Sequence, residues 1–387
     1  LLVFGQDESN PQFDPDPAVR LAAVERIIEA GGSRVAEQLR PSCRDGAGDV
    51  QRLAVAGIVN FYIPGYVRTG VRARLARIGD KIVRNKNEFA VDPWVQVREE
   101  DGEAIRGVLL DPKSPEAKLE AANALAALRY KPALPDLIPL LKTKQDDLMY
   151  AAVRAIELSG DKAAAQETVF LIRDLNEQIH LRVMSVNGVV RNEGALPDLA
   201  EVFHRNRNAR SQAGAMEAIA MIASPESAGL FEQNLNHRDP AVRGYAAEGL
   251  GRIRSQPHKT KIEEMFQGER AMRARLAQAF ALVYLGKDEA GELKPFDYLF
   301  NTLNSRAWRG VAKGYWEELA REAAIRDRLR NKIPEATNAE KAELAMILAR
   351  SGDRSDMPSL EALARDRDPQ VAQEAIRATK VLQTRLP

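Results

Sequence analysis

Seven cations, Arg68, Arg72, Arg74, Arg77, Lys81, Arg84 and Lys86, stand against one acid, Asp80, in a stretch whose apolar residues Val67, Val71, Leu75, Ile78 and Ile82 recur at spacings of three and four. This is the pattern of an amphipathic helix with a broad basic face. The chemistry it offers is capture of an anion: a phosphate backbone, an acidic protein surface or a lipid headgroup. Arg68, Arg72, Arg74, Arg77, Lys81 and Arg84 are therefore the candidate partner-binding residues, with Phe61, Tyr62 and Tyr66 beside them for stacking. The competing reading is a solvated face neutralised by Glu99, Glu100, Asp101 and Glu103 of the next helix. A second set of cations, Arg20, Lys118, Arg182, Arg243, Arg273 and Arg309, recurs at a similar interval and reads as a ladder along one edge. Such a ladder bridges to neighbouring acids or tracks a polyanion. The aromatic cluster Trp308, Tyr315 and Trp316, with Phe296, Tyr298 and Phe300 upstream, reads as core filler or as a surface hot spot.

Catalysis finds little foothold. The four histidines, His180, His204, His237 and His258, form no H-E-x-x-H motif and no pair one helical turn apart, so each reads as a turn or surface residue and no metal site is expected. There is no G-x-S-x-G elbow and no phosphate-binding G-x-x-x-x-G-K loop, and no cofactor is expected. The single cysteine, Cys43, has no local histidine to activate it and can build neither a disulfide nor a cysteine-ligated zinc site within the chain.

Lysine and arginine number 56 against 55 acids, so no global field draws the chain to nucleic acid, and nucleic acid is not the expected partner. Weak binding to an anionic surface through residues 68–86 is consistent with the local charge. No apolar run approaches the roughly 20 residues of a membrane span. The start, Leu1-Leu2-Val3-Phe4-Gly5 before a polar stretch, reads as the tail of a secretory signal or as an arbitrary start of the chain. The first reading makes residues 1–13 an N-terminal extension and places the protein in the periplasm or outside the cell ahead of the cytoplasm.

The elements that must position these residues are legible from self-similarity. Asp16-Pro17-Ala18-Val19-Arg20 recurs as Asp239-Pro240-Ala241-Val242-Arg243, with a degenerate copy at Asp368-Pro369-Gln370-Val371. Anchors on the valine-like position fall at Val19, Val50, Ala117, Leu148, Leu181, Ser211, Val242, Met272, Trp308, Glu340 and Val371, mostly 30 to 33 residues apart. A second signature alternates with the first: Ala133-Leu134-Pro135-Asp136-Leu137 is matched by Ala195-Leu196-Pro197-Asp198-Leu199. Aspartate before proline is an N-cap followed by a first helical residue that needs no donor. Small residues such as Ala246, Ala247, Ala121 and Ala122 let helices approach closely. Gly160, Gly286 and Gly352 end first helices in the left-handed conformation. A period near 31 holds two helices and two turns and no strand, and each helix pair exposes an apolar face that only its neighbours cover.

The D-P-x-V-R opening, the alanine pairs, the G-D ending and the A-L-P-x-L second helix resemble the short bacterial HEAT-like repeats grouped with the phycobilisome lyase repeats, over about residues 14 to 385. The resemblance implies an all-α solenoid, an α-α superhelix of about twelve helix pairs, running as one domain over 14–387 with an irregular, enlarged repeat at about 61–112. It implies a non-catalytic scaffold that binds a protein or peptide on a concave face lined by the second helices. The alternative is a HEAT-like enzyme or nucleic-acid-binding protein, DNA glycosylase-like or bilin lyase-like, acting through 68–86. No histidine stands in an H-E pair, so the di-iron hydroxylase that shares the repeat is not supported.

Overall fold

A computed structural model describes residues 10–67, 89–287, 289, 291 and 293–386. Among them there is no strand, and helices alternate in pairs: the fold is an all-α solenoid of helical hairpins. Eleven first helices are described, each built on the anchor pattern, from Pro17–Ala30 and Gly48–Tyr62 through Pro115–Ala127 to Pro369–Arg385. Between them lie ten second helices, shorter and often opened by a turn of 3₁₀ helix, as in Gln256–His258 before Lys259–Gly268. Helix Glu99–Leu110 takes the place of a second helix, so the stretch 63–98 separates the two helices of one pair. The irregular, enlarged repeat expected at about 61–112 falls in part on residues 68–88, outside the described residues. The chain divides into two compact units, residues 1–198 and 199–387.

The caps form as the residue types dictate. Asp16, Asp239 and Asp368 each accept from the amide two residues on, at 2.8 to 2.9 Å, with proline at the first helical position. Gly160 and Gly286 close their helices at φ +67° and +75°. Gly352 differs: its backbone is not left-handed, φ −81° and ψ −170°. Glycine is needed there because a Cβ would stand 2.2 Å from Asp356 Oδ2 and 2.5 Å from the Leu348 carbonyl. Three other first helices end in a left-handed arginine, Arg129, Arg191 or Arg254, with φ between 53° and 55°.

The first helices pack against one another with little side-chain depth between them. A Cβ on Gly251 would lie 2.6 Å from Ala281 Cα, and one on Gly244 would lie 3.1 Å from Ala274 Cα. Ala121, Ala122, Ala246 and Ala247 are all fully buried, as close-packed positions must be. Larger apolar groups, among them Leu250, Leu125 and Ile156, fill the layer toward the second helices and are at most 1 % exposed.

Two anchors stand two residues from where the sequence places them. Ile179 and Ala274, rather than Leu181 and Met272, are the buried third residues after their N-caps, at 1 % and 0 % exposure. Both members of each couple are small or apolar, so hydrophobicity alone does not fix the register. The correction moves Arg182 and Arg273 off the expected edge ladder and onto a different face of the first helices.

Candidate functional site

The candidate residues Arg68, Arg72, Arg74, Arg77, Lys81 and Arg84 lie outside the described residues. Asp101 and Glu103, two of the four acids expected to neutralise them, have partners among the described residues. Asp101, fully buried, accepts from Arg40 at 2.6 Å, from Arg98 at 2.8 Å and from the Tyr62 hydroxyl at 2.6 Å. Glu103 accepts from the Tyr130 hydroxyl at 2.8 Å. Val91 of the connecting loop is 4 % exposed and donates to the Ala127 carbonyl at 2.8 Å, so the loop plugs the repeat through Val91, with Trp94 half-buried.

In several repeats the edge position, one residue after the anchor, carries a donor for a carbonyl of the preceding turn or second helix. Arg20 donates to Asp14 O, Gln51 to Cys43 O, Arg243 to His237 O and Arg309 to Leu303 O. Arg20 and Arg243 also pair with Asp45 and Glu269, both at 2.6 Å. These cations have acidic partners, which argues against a continuous polyanion track. His180 occupies the same position: it is 5 % exposed and its Nδ1 donates to the Ile172 carbonyl, so it is a buried helix residue and not a surface one.

Arg182 and Arg273 belong to a face that sequence reading missed, the side of the first helices turned away from the second. Its residues follow i, i+4, i+7 and i+11, one helical stripe. In the second unit they are Arg210, Gly214, Glu217, Met221; Ala241, Tyr245, Glu248, Arg252; and Arg273, Ala277, Phe280, Tyr284. Polar residues in one phase every 31 or so positions were the signal, hidden by the two misplaced anchors.

On this face Arg273 donates to the Tyr245 hydroxyl at 2.6 Å. Arg252 donates to Glu248 at 2.7 Å and to Glu318 at 3.0 Å, and its guanidinium lies 4.8 Å from the centre of the Phe280 ring. Tyr315 stacks on the same Phe280 ring, centroids 4.5 Å apart, and donates to Glu248. The contacts of Glu248 with Tyr315, Arg252 with Glu318 and Arg254 with Glu322 each pass over the intervening helix Met272–Tyr284. Over residues 240–322 this face thus brings together side chains from first helices that are not neighbours.

The electrostatics follow from burial. Desolvation opposes the charge of Arg252, and Glu248 and Glu318 more than offset it, so the guanidinium is held above its ordinary value. Burial, aided by the charge of Glu248, pushes the Glu217 carboxyl up against a hydrogen bond from Tyr245 and the charges of Arg273 and Arg252. A perturbed carboxyl within a cluster of charges marks a candidate site.

In the first unit the same face carries Glu116, Glu120, Asn123, Ala127; Asp147, Ala151, Arg154, Leu158; and Gln178, Arg182, Ser185, Val189. Tyr66 and Phe89, with ring centroids 5.6 Å apart, rest over it, and the Phe89 carbonyl accepts from Arg154.

The remaining candidates resolve simply. Trp316, Phe296 and Phe300 are core, at most 3 % exposed, whereas Tyr315 is half-buried on the first-helix face. Cys43 is 3 % exposed, and burial, with the charge of Asp101, pushes its thiol up to about 12, which suits an unreactive core residue. Among the described residues no three histidine, cysteine, aspartate or glutamate side chains stand close enough to hold a metal ion. Among them, too, no helix is long and apolar enough to cross a membrane.

Fold and face together define the class, an all-α repeat protein whose helical hairpins are stacked side by side. The profile of the PBS lyase HEAT-like repeat matches residues 117–143, the hairpin that begins at the anchor Ala117, so the chain carries a HEAT-like repeat there. No curated protein matches it. Among solved structures it is similar to the CpcE and CpcF complex of phycocyanin lyase from Nostoc sp. PCC7120, with 18 % identity over 65 % of this chain and 94 % of that one, TM-score 0.44. Human deoxyhypusine hydroxylase shares 16 % identity over 67 % of this chain and 99 % of its own, TM-score 0.33. Importin beta shares 11 % identity over 94 % of this chain and 55 % of its own, TM-score 0.43. None of these likenesses is close enough to carry a functional assignment.

Proposed function

We propose that the chain is a non-catalytic scaffold that binds a segment of another protein along the first-helix face of residues 209–322. The observation that carries this reading is the supported cluster on that face. Glu248 and Arg252, 3 % exposed and nearly buried, are locked by Tyr315, Glu318 and Phe280, while Glu217 and Tyr284 are half-exposed and Arg273 is open to solvent. A rigid buried layer under an accessible polar and aromatic rim is what a peptide-binding surface requires, because groups already ordered lose little freedom on binding.

A photo-crosslinking residue placed at Arg273 captures the partner, and one placed at the exposed second-helix position Glu361 does not. Glu217→Lys weakens the same capture about tenfold or more, while leaving the helical circular dichroism unchanged. Equal capture from both positions refutes the assignment. Duplex DNA is expected to bind weakly at most; tight binding that falls steeply with salt would favour action through residues 68–86 instead.

A further inference from the structure

The first unit carries, at the register of a matched pair in the second, two donors that face no acceptor among the described residues. In the second unit the stripe position i+7 of one helix and i+4 of the next hold Glu217 and Tyr245, and the tyrosine hydroxyl bonds the carboxylate. The same two positions in the first unit hold Arg154 and Arg182. Arg154 is 1 % exposed; one arm donates to the Phe89 carbonyl, and its other arm, Nη1, is buried with no acceptor among the described residues. Arg182 is held at one end by Glu157 and lies with its guanidinium 5.7 Å from the Tyr150 ring centre, yet its Nε is also buried with no acceptor.

A buried N–H without an acceptor costs more than a hydrogen bond gains, and on a charged group the penalty is larger. Two such groups, in adjacent helices, stand where the fold elsewhere places a donor and its acceptor. The other groups nearby do not supply the acceptor. Glu157 lies against Nη2 of Arg182 and not against the two unmet nitrogens, and Arg129 donates to the Val91 and Leu158 carbonyls at 2.9 and 2.7 Å. Tyr66 and Glu120 interact with each other. Burial lowers the pKa of Arg154 more than Tyr66, Tyr150 and Glu157 raise it, and the charge of Arg182 adds to the lowering, so an arriving negative charge opposes both lowering causes.

We propose that Arg154 and Arg182 form a receptor for one oxyanion, a carboxylate or a phosphate, on the first-helix face of residues 146–189. The planar guanidinium offers N–H groups in a fixed fork that matches two oxygens of one such group. The site extends the binding-face reading to the first unit and names the charge its ligand carries.

The experiment is thermal unfolding of the full chain at constant ionic strength, with chloride replaced stepwise by inorganic phosphate or by acetate. A melting temperature that climbs and saturates with either anion is expected; saturation with acetate alone marks a carboxylate, and with phosphate alone a phosphoryl group. Arg154→Met removes the dependence and raises the melting temperature in chloride, since it deletes a buried charge that lacks a partner. If that variant does not fold, Arg182→Gln, at a side chain 29 % exposed, weakens the apparent affinity by about tenfold or more. No saturable dependence on either anion, or a dependence that survives both substitutions, overturns the proposal. The crosslinking test uses residues of the second unit only, so its failure leaves this result standing, and the reverse.

Discussion

Arg243 reaches Glu269 with two arms, at 2.6 and 2.8 Å, and the carboxylate also accepts from the Ala271 amide at 2.9 Å. The hydrogen bond from Arg243 is the largest of the influences that hold Glu269 down at about 2, against desolvation. A carboxyl whose folded value is depressed stabilises the fold above its ordinary value of 4.5, and that stability is lost as pH falls from there toward 2. Glu269→Gln is therefore expected to cost on the order of 1–3 kcal/mol at neutral pH and to flatten the acid limb of stability between those two values. Denaturant unfolding at pH 7, 4 and 3 checks it; an unchanged acid limb in the variant would mean the pair contributes nothing. Glu217 and Glu157, pushed up chiefly by burial, act in the opposite sense: their ionisation weakens the fold as pH rises above the ordinary carboxyl range.

Among elements, the ends of the first helices show what the sequence discloses and what it conceals. Aspartate-proline caps are visible because one residue type does one local job, and Asp16, Asp239 and Asp368 do it. The left-handed arginines are not visible, since local preference expects glycine there and a side chain in that conformation costs about 1–2 kcal/mol. Their reason is tertiary. Arg129 bonds the carbonyl of Leu158, two residues before Gly160, and Arg254 bonds that of Tyr284, two residues before Gly286, so each ties the end of the next first helix. The first-helix stripe was hidden for a related reason, because Ile179 and Leu181 serve equally well as anchors in a hydrophobicity pattern and only packing distinguishes them. Arg129 also holds the Val91 carbonyl, and Arg129→Ala should cost about 2–3 kcal/mol by leaving two carbonyls unmet on a strained turn. Hydrogen exchange at the Val91 amide, bonded to Ala127, reads it directly: exchange there accelerates in the variant, and unchanged protection contradicts the latch.

For the molecule as a whole, the consequence of stacked hairpins is that stability is local. Each hairpin covers its apolar face with its neighbours in the chain, so a defect is felt by the adjacent repeats and fades with distance along the sequence. Ala246 tests this. It is fully buried, and Gly249, three residues on and on the same side of helix Pro240–Arg252, stands where a Cβ would meet the Phe231 ring at 2.4 Å. Ala246→Leu inserts three carbons into that contact and is expected to cost about 1–3 kcal/mol. In a molecule organised around one centre, the loss would appear in every well-protected amide. In a solenoid it appears in helices 209–222, 240–252 and 272–284, while amides of Pro17–Ala30 and Gly48–Tyr62 exchange as in the parent. Amide exchange measured across the whole chain separates the two, and a uniform loss of protection would mean that the repeats unfold as one cooperative body.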